Sequence, residues 1–316
     1  SVTAADPENG ALQYAIIAGN IDGAFTIDAT TGQITVANSA VLDYETTPTF
    51  TLTVAAIDPE GAYDTATITV NLNDVDDVND APTFSIGGDG SVTTTVGTGT
   101  EYGYSVTVQP DGKVLVGGYG QVGGNYDFVV TRYNADGSLD TTFGGGDGIA
   151  TIAMGPGSDL GYEVLLQPDG KILMVGAASN GVDNDFAMTR LNSDGTLDTS
   201  FGGGDGIVTT DISGDTDHAR SVFLQPDGKI VLGGFARIAG DNNFALIRYN
   251  SDGTIDTTFG GGDGITTTAV PVFQSHINDI ALQADGKIVA FGDAQDCRGS
   301  DFSVLRYNTD GILDKT

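Results

Sequence analysis

The sequence is poor in positive charge and contains no tryptophan. Its 316 residues include 12 Lys and Arg against 43 Asp and Glu, which gives a formal net charge of −31. Binding to nucleic acid depends on cationic side chains that neutralise phosphates, so this composition excludes a general nucleic-acid-binding function, and it excludes an anionic membrane surface as a partner for the same reason. Cations are the natural partners of so acidic a chain.

Cysteine and long apolar runs are also scarce. Cys297 is the only cysteine of the sequence, so no intrachain disulfide can form, and nothing near it in sequence indicates a reactive thiol. No run of about 18 or more apolar residues occurs, and the first residues lack the basic-then-apolar order of a signal peptide. We therefore expect no membrane insertion, with any export signal or anchor outside this sequence.

The 47 glycines and several short alternating segments indicate an all-β fold. Apolar and polar residues alternate strictly in residues 50–56 and 66–72, the pattern of strands with one buried face. A glycine-containing turn at residues 58–61 separates the two segments. We predict that residues 1–83 form an antiparallel β-sandwich.

The acidic side chains of residues 1–83 gather at the ends of the predicted strands. Thirteen carboxylates occur in this region, and no Lys or Arg precedes Lys113. Carboxylates without a cation repel one another, so we expect a bound cation to complete the fold. Hard oxygen ligands suit Ca²⁺, which accepts six to eight oxygens in flexible geometry.

Four motifs of this region, in the same order, resemble those of the cadherin family. They are Ala-Asp-Pro-Glu-Asn-Gly at 5–10, Leu-Asp-Tyr-Glu at 42–45, Ala-Ile-Asp-Pro-Glu-Gly at 56–61 and Asp-Val-Asn-Asp-Ala-Pro at 77–82. The resemblance implies a cadherin/Ig-like β-sandwich with Ca²⁺ at its junctions with neighbouring modules of the same or another copy of the chain. The implied ligands are Asp6, Glu8 and Asp58 before the module, and Asp43, Glu45, Asp77, Asn79 and Asp80 after it.

Residues 84–316 contain four tandem copies of a 58-residue repeat. A Gln-Pro-Asp-Gly-Lys turn ends at Lys113, Lys171 and Lys229, and Gln-Ala-Asp-Gly-Lys ends at Lys287, with no insertion or deletion between copies. We assign the copies to residues 84–142, 143–200, 201–258 and 259–316. Each copy is predicted to supply four short strands, which is typical of a β-propeller blade.

The repeat resembles the delta-60 repeat of large bacterial secreted and surface proteins. The resemblance covers all four copies and places the chain outside the cell, at a bacterial cell surface. It implies no particular activity, because that family has no defined common function. The leading interpretation is a non-enzymatic structural or adhesive segment that Ca²⁺ makes rigid at the ends of the cadherin-like module.

Eight of the 12 basic residues stand at two repeat positions, those of Lys113 and Arg132. A side chain repeated in every copy usually serves the blade itself, so we expect each Arg to pair with a carboxylate of its repeat, at Asp127, Asp185 or Asp301. The stretch after Arg132 carries part of a calcium-loop pattern without its first acid, so it is predicted to be an Asx-stabilised turn.

The sequence is compatible with three alternative functions. The first is a lectin-like propeller that binds cell-surface or matrix glycans through exposed tyrosines. Its candidate residues are Tyr102, Tyr104, Tyr119, Tyr126 and Tyr162. The second is a subunit of an extracellular fibre that polymerises by strand exchange, at a sheet edge left open by a missing first strand.

The third alternative is a propeller lyase or hydrolase. It would use His218 or His276 as a base, with Asp217 or Asp279 nearby. The two histidines share a repeat position in adjacent copies and could approach each other around a metal ion, but ordinary loop packing is the preferred interpretation.

Overall fold

The computed structural model describes residues 2–6, 10–43, 47–72, 91–270, 274–296 and 298–316, with the backbone alone for Asp296. The chain divides into two units, Ser1–Asp80 and Ala81–Thr316. The described elements are 20 β-strands and two short 3-10 helices, Ile21–Gly23 and Ser39–Val41. The predicted all-β class is confirmed.

The first unit is built from two small antiparallel sheets. One has the strand order β1-β4-β5, and the other pairs β2 with β3. The strands are β1 (Gln13–Ala18), β2 (Phe25–Ile27), β3 (Ile34–Val36), β4 (Thr49–Ile57) and β5 (Tyr63–Asn71). Alternation along β4 buries Phe50 and Leu52, and the ring of Phe25 packs edge-on against Phe50 with centroids 5.2 Å apart. These side chains form the core, as the predicted sandwich requires.

The second unit contains four groups of antiparallel strands, here called blades 1 to 4, and blades 3 and 4 belong to one seven-stranded sheet that a parallel pair joins at Asn242 and Gln274. Blade 1 comprises β6 (Glu101–Val108), β7 (Val114–Val122), β8 (Asn125–Tyr133) and β9 (Ile149–Ile152). Blade 2 comprises β10 (Leu160–Leu166), β11 (Ile172–Ser179), β12 (Asn184–Leu191) and β13 (Ile207–Thr210). Blade 3 comprises β14 (Asp217–Leu224), β15 (Ile230–Ile238), β16 (Asp241–Tyr249) and β17 (Ile265–Thr268). Among the described residues blade 4 has three strands, β18 (Gln274–Leu282), β19 (Ile288–Asp296) and β20 (Gly299–Tyr307).

The outer strand of each four-stranded blade comes from the following copy of the repeat. Strand β9 pairs with β8 of blade 1, although it follows the Gly-Gly-Asp-Gly segment that opens the second copy. The connection folds back on β8, where the amide of Arg132 donates to the carbonyl oxygen of Gly148 at 2.9 Å. Copies 2 to 4 each supply the four predicted strands, and the first strand of each copy completes the preceding blade because this turn folds it back onto that blade.

Consecutive blades pack face to face and share their apolar cores. Between blades 3 and 4, Phe244 and Leu246 of β16 lie in one cluster with Ile280 of β18. The equivalent clusters join blade 1 to blade 2 and blade 2 to blade 3. Phe128, Phe186 and Phe244, which occupy one repeat position, are all 0% exposed.

The outer faces of the first and last blades carry apolar residues at the same repeat positions, and none of the described residues forms a blade over them. On blade 4, Phe302 is 88% exposed and Val304 is 65% exposed, although they occupy the repeat positions of Phe244 and Leu246. On blade 1, Val106 is 65% exposed at the repeat position of Ile280. Burial at these positions thus comes from a neighbouring blade and not from the strand's own sheet.

The repeated arginines pair with a different carboxylate from the predicted one. The Nε of Arg248 donates to Asp256 Oδ2 at 2.7 Å, and the other three copies have the same pair eight residues apart. The predicted partners Asp127, Asp185 and Asp301 are wrong. Asp127 lies five positions before Arg132 on one strand, and side chains an odd number of positions apart point to opposite faces.

Each carboxylate of these pairs also binds the repeated lysine. Lys229 Nζ lies 2.7 Å from Asp256 Oδ2, and Thr258 donates its hydroxyl to Oδ1 at 2.7 Å. Burial opposes ionisation of Asp256, but the hydrogen bonds from Lys229, Thr258 and Arg248 outweigh it and hold its pKa below the ordinary range. The structural role expected of the repeated basic residues is confirmed.

The same arginines connect each blade to the next. Arg248 donates from Nη1 to the carbonyl oxygen of Thr309, 61 residues later, and its guanidinium lies 4.6 Å above the ring of Phe259. Arg132 and Arg190 make the equivalent contacts. The side chain of Arg306 in blade 4 is 40% exposed, against 9% for Arg248.

Two local features of the repeat follow from its glycines and acids. In the turn after β8, Asp136 Oδ1 accepts from the amide of Ser138 at 2.9 Å and Gly137 has a φ of 83°, which confirms the predicted Asx-stabilised turn. Between the first two strands of blade 3 a bulge brings the backbones together, so that a Cβ at Gly234 would collide with the carbonyl oxygen of His218.

Candidate functional site

Two of the predicted calcium ligands, Asp6 and Asp58, line one cleft of the first unit. The cleft has a volume of about 440 Å³ and lies between residues 2–6, the end of β4 and the start of β5, where Asp64 also lines it. Asp6 Oδ2 accepts from the amide of Gly10 at 2.8 Å, and Asp58 Oδ1 accepts from the amide of Ala62 at 2.7 Å. Three acidic residues therefore line the cleft, but their carboxylate oxygens do not all lie within 4.8 Å of one another.

The remaining predicted ligands are not in this cleft. Asp43 is exposed, and its carbonyl oxygen accepts from the amide of Thr47 at 2.8 Å. The other five residues, Glu8, Glu45, Asp77, Asn79 and Asp80, lie outside the described residues.

The acidic lining of the cleft has the chemistry of a hard-cation site, although its carboxylates are not gathered as a preformed set of ligands. The unit's sequence offers no Lys or Arg that could neutralise the carboxylates of Asp6, Asp58 and Asp64. A Cβ at Gly10 would collide with Asp6 Oδ2, so the glycine leaves room for this carboxylate. When bound, Ca²⁺ would supply positive charge to the acidic lining of the cleft.

Five tyrosines of blades 1 and 2 form a continuous aromatic surface, here called the tyrosine face. They are Tyr102, Tyr104, Tyr119, Tyr126 and Tyr162, and neighbouring ring centroids lie 5.1 to 6.5 Å apart. Tyr102 and Tyr104 are 45% and 52% exposed. The hydroxyls of Tyr104 and Tyr119 are 3.1 Å apart, and burial raises the pKa of Tyr119, so its hydroxyl stays protonated at neutral pH.

The aromatic surface continues from Tyr162 across blades 3 and 4. The ring of His218 stacks between Tyr162, at 6.0 Å, and Phe235, at 4.9 Å, and His276 packs edge-on against Phe235 at 4.7 Å. Rings of four successive blades thus form one row.

A polar pocket of about 340 Å³ lies beside the tyrosine face. Every blade contributes two residues from its first strand, at the same two repeat positions. The lining residues are Tyr104, Ser105, Tyr162, Glu163, Arg220, Ser221, Asn278 and Asp279. The guanidinium of Arg220 lies 4.7 Å above the ring of Tyr162, and burial raises the pKa of Glu163. The pocket combines a cation, carboxylates and aromatic rings.

The two histidines do not share a metal ion, because Phe235 stands between their rings. Burial, with a smaller contribution from Arg220, lowers the pKa of His218 to about 4, so this imidazole is neutral at physiological pH. His276 Nδ1 lies 3.5 Å from Asp293, whereas Asp279 accepts from the hydroxyl of Ser221 at 2.9 Å. The suggested pair of His276 with Asp279 is therefore wrong.

Asp217, the acid suggested for His218, holds backbone atoms. It is 0% exposed and accepts from the amides of Ile212 and Ser213 at 2.7 and 3.2 Å. Asp159 makes the equivalent contacts in blade 2. Neighbouring residues on a strand point to opposite faces, which separates the carboxylate of Asp217 from the ring of His218.

One acidic cluster was missed by sequence reasoning. In the described part of the chain, Asp185, Asp211 and Asp217 are the one group of three acids whose oxygens lie close enough to hold a metal ion. A signal for it was present in the aligned copies, since Asp211 replaces the alanine that the neighbouring copies carry at Ala153 and Ala269. The described part of the chain contains no helix with the length and apolar character needed to cross a lipid bilayer.

Family models match both units of the chain. The model of the cadherin domain matches residues 1–73. The model described as a domain of unknown function (DUF5122) beta-propeller matches residues 109–143, 167–201, 225–259 and 283–316. The chain is a cadherin domain followed by DUF5122 β-propeller repeats. This combination indicates an adhesive or structural segment.

The curated relatives match the cadherin domain and are much longer proteins. Protocadherin Fat 4 of Homo sapiens is 38% identical over 76 residues, which are 24% of this chain and 2% of the relative. The protocadherin-like wing polarity protein stan of Drosophila melanogaster is 46% identical over 87 residues, which are 27% of this chain and 2% of the relative. The matched part of the chain thus spans a small fraction of each relative.

Solved structures share a general similarity with the chain. A putative glycoside hydrolase from Parabacteroides distasonis matches with a TM-score of 0.44 and 11% identity, over 69% of this chain and 72% of that one. A gluconolactonase from Xanthomonas campestris matches with a TM-score of 0.38 and 12% identity, over 85% of this chain and 72% of that one. At these scores the similarity carries no argument about activity.

Proposed function

We propose that this chain is a non-enzymatic adhesive or structural segment of an extracellular protein of the bacterial cell surface, and that Ca²⁺ makes the cadherin domain rigid. The observation that supports calcium most directly is the cleft that Asp6, Asp58 and Asp64 line in a domain without Lys or Arg. A divalent cation in the cleft links the segment before β1 to the β4–β5 turn. The bound ion would then hold the segment before β1 against the β4–β5 turn.

Removing Ca²⁺ is expected to lower the melting temperature of the cadherin domain. A ligand present at about 100 times its Kd stabilises the folded state by about 2.7 kcal/mol. For a domain of this size each kcal/mol corresponds to about 4–8 °C, so the expected shift is roughly 10–20 °C. Differential scanning calorimetry of the chain in Ca²⁺ and in EDTA measures it.

Two variants test whether the cleft is responsible. Asp58→Asn is expected to abolish most of the calcium-dependent shift, because it removes one charged ligand. Asp28→Asn is the matched control, since Asp28 is an exposed acid of the same domain whose Oδ1 accepts from the amides of Thr30 and Thr31, outside the cleft. Identical melting curves with and without EDTA in the unmodified chain would contradict the calcium proposal.

The absence of an enzymatic role is supported by how the candidate catalytic groups are used. The ring of His218 stacks between two aromatic rings, and the carboxylate of Asp217 is engaged with backbone amides. A general base needs a free position within hydrogen-bond reach of a substrate proton. Here His218 Nδ1 faces the hydroxyl of Tyr162 at 3.3 Å and Nε2 faces Asn184 at 3.3 Å.

A second candidate function, binding of cell-surface or matrix glycans, is favoured by the tyrosine face. Sugar rings present C–H groups that pack on aromatic rings, and the adjacent pocket offers Arg220, Glu163 and Asp279 for hydrogen bonds. The exposed rings of Tyr102 and Tyr104 are accessible to such a ligand. Glycan binding is compatible with an adhesive segment.

Tyr104→Ala is expected to reduce glycan binding at least tenfold, because it removes the ring that touches both Tyr119 and Tyr162. The measurement is a glycan array followed by titration with the best ligand. Tyr63→Ala serves as the control, since Tyr63 is a 69% exposed tyrosine of the cadherin domain. An array without any bound glycan, or equal losses in the two variants, would rule out this surface.

A further inference from the structure

The connection between blades 2 and 3 carries the acidic cluster of Asp185, Asp211 and Asp217. Each residue offers one carboxylate oxygen, and these oxygens lie within 4.8 Å of one another. Asp185 lies near the start of β12, Asp211 directly follows β13, and Asp217 begins β14. The cluster therefore joins two consecutive blades.

Asp185 has a buried oxygen that no donor satisfies. The residue is 8% exposed, and its Oδ2 accepts from Asn180 Nδ2 at 3.1 Å. Its Oδ1 is buried and accepts no hydrogen bond from any described residue. A buried carboxylate oxygen without a donor or a cation is costly, and buried polar atoms in folded proteins nearly always have a partner. This atom therefore points to a ligand.

The loop fixes the other two carboxylates in place. Asp217 is 0% exposed, and its Oδ1 accepts from the hydroxyl of Ser213 at 2.6 Å and from the amide of Arg237 at 3.3 Å. Asp211 Oδ1 accepts from the amides of Ser213 and Gly214 at 3.0 and 2.6 Å. Because these bonds hold the carboxylates before any ligand arrives, binding would require little reorganisation.

The charge around the cluster also favours a cation. Burial raises the pKa of Asp185, and the neighbouring charge of Asp211 raises it further. The Nε of Arg237 lies 3.8 Å from Asp215, which is not a member of the cluster. A divalent cation would offset the mutual repulsion of the three carboxylates.

We propose that Asp185, Asp211 and Asp217 bind one Ca²⁺ that ties blade 2 to blade 3. The three ligands are hard oxygens, as Ca²⁺ prefers. Ca²⁺ holds its oxygens at about 2.3–2.6 Å, so oxygens on opposite sides of the ion are roughly 4.6–5.2 Å apart. The spacing within the cluster is compatible with this geometry. This site is separate from the cleft of the cadherin domain.

The other two blade junctions do not have an aspartate at all three of these repeat positions. Between blades 1 and 2 the equivalent residues are Asp127, Ala153 and Asp159, and between blades 3 and 4 they are Asn243, Ala269 and Ser275. The repeat can therefore fold with Asn, Ala or Ser at these positions. The chain itself supplies substitutions that remove the site without disturbing the blade.

Calcium titration of the full chain after treatment with EDTA tests the site. In isothermal titration calorimetry, Asp185→Asn and Asp211→Ala are each expected to bind one Ca²⁺ fewer per chain than the unmodified protein, or to bind it at least tenfold more weakly. Both variants carry residues found at the same position in other copies, Asn243 and Ala269. Circular dichroism at 25 °C checks that they remain folded.

Asp301→Asn is the matched control, because Asp301 is the exposed equivalent of Asp185 in blade 4 and should leave the count unchanged. Asp58→Asn should lower the count independently, and the chain with both Asp58→Asn and Asp185→Asn should lose both sites. Unchanged stoichiometry and affinity in Asp185→Asn and Asp211→Ala would overturn the proposal, as would an equal loss in Asp301→Asn. If the cleft of the cadherin domain bound no Ca²⁺, Asp185→Asn would still bind fewer Ca²⁺ ions per chain than Asp301→Asn, so the two proposals can fail separately.

Discussion

Replacing Phe244 with alanine is expected to lower the free energy of unfolding of the blades by about 3–5 kcal/mol. The ring is 0% exposed and lies in the core shared by blades 3 and 4, in one cluster with Ile277 and Ile280. Its removal leaves a cavity between two blades that cannot close without moving one of them. Urea unfolding followed by circular dichroism measures the loss.

Phe302→Ala removes the same side chain from the same repeat position and is expected to cost less than about 0.5 kcal/mol. The difference arises because Phe302 is 88% exposed and no described residue covers it. If the two variants were equally destabilised, the outer face of blade 4 would have to be covered in solution. The difference between Phe244→Ala and Phe302→Ala therefore measures how much free energy of unfolding comes from packing against the neighbouring blade.

Asp256→Ala is the second substitution expected to have a large effect, about 3–5 kcal/mol of unfolding free energy. It leaves the guanidinium of Arg248 buried without its carboxylate and removes the partner of Lys229. Asp314→Ala is the matched control, and a much smaller loss is expected because the side chain of Arg306 is 40% exposed and can be hydrated. Thermal or urea unfolding of both variants provides the comparison.

The effect of Asp256→Ala is expected to depend on pH. The folded-state pKa of Asp256 lies below its ordinary value of 3.8. The ionised carboxylate therefore makes its full contribution to the free energy of unfolding above about pH 4, and this contribution is lost as the pH falls through the folded-state pKa. Asp140, its equivalent in blade 1, has its pKa lowered to about 2. The stability difference between the unmodified chain and Asp256→Ala should therefore shrink between pH 4 and pH 2. A constant difference over this range would contradict the ion-pair explanation.

The strands could be predicted because their signals are local. Alternation in residues 50–56 gives the inward residues of β4, and the constant repeat period places the equivalent strands of each blade. The five tyrosines of the tyrosine face were also identified in advance, since Tyr102 and Tyr104 are alternate residues of one strand. Regular periodicity fixes which face a side chain occupies.

The partners of individual side chains could not be predicted, because they depend on turns and on neighbouring blades. Arg132 meets Asp140 only because the chain folds back after β8, where the amide of Asp140 donates to the carbonyl oxygen of Arg132. His218 and His276 share a repeat position, yet Phe235 of an adjacent strand separates them. Likewise, whether a neighbouring blade covers the strand decides the burial of Phe244 and the exposure of Phe302, and the sequence of the strand itself does not contain this information.

The origin of the outer strands has a consequence for how the repeats unfold. Blade 1 is completed by β9 from the second copy, and Arg132 donates a hydrogen bond to the carbonyl oxygen of Ser193, also of the second copy. Loss of one copy would therefore strip an edge strand from the preceding blade and a hydrogen-bond acceptor from an arginine. Such nearest-neighbour coupling makes partly melted arrays unfavourable. The blades should lose structure as one cooperative block.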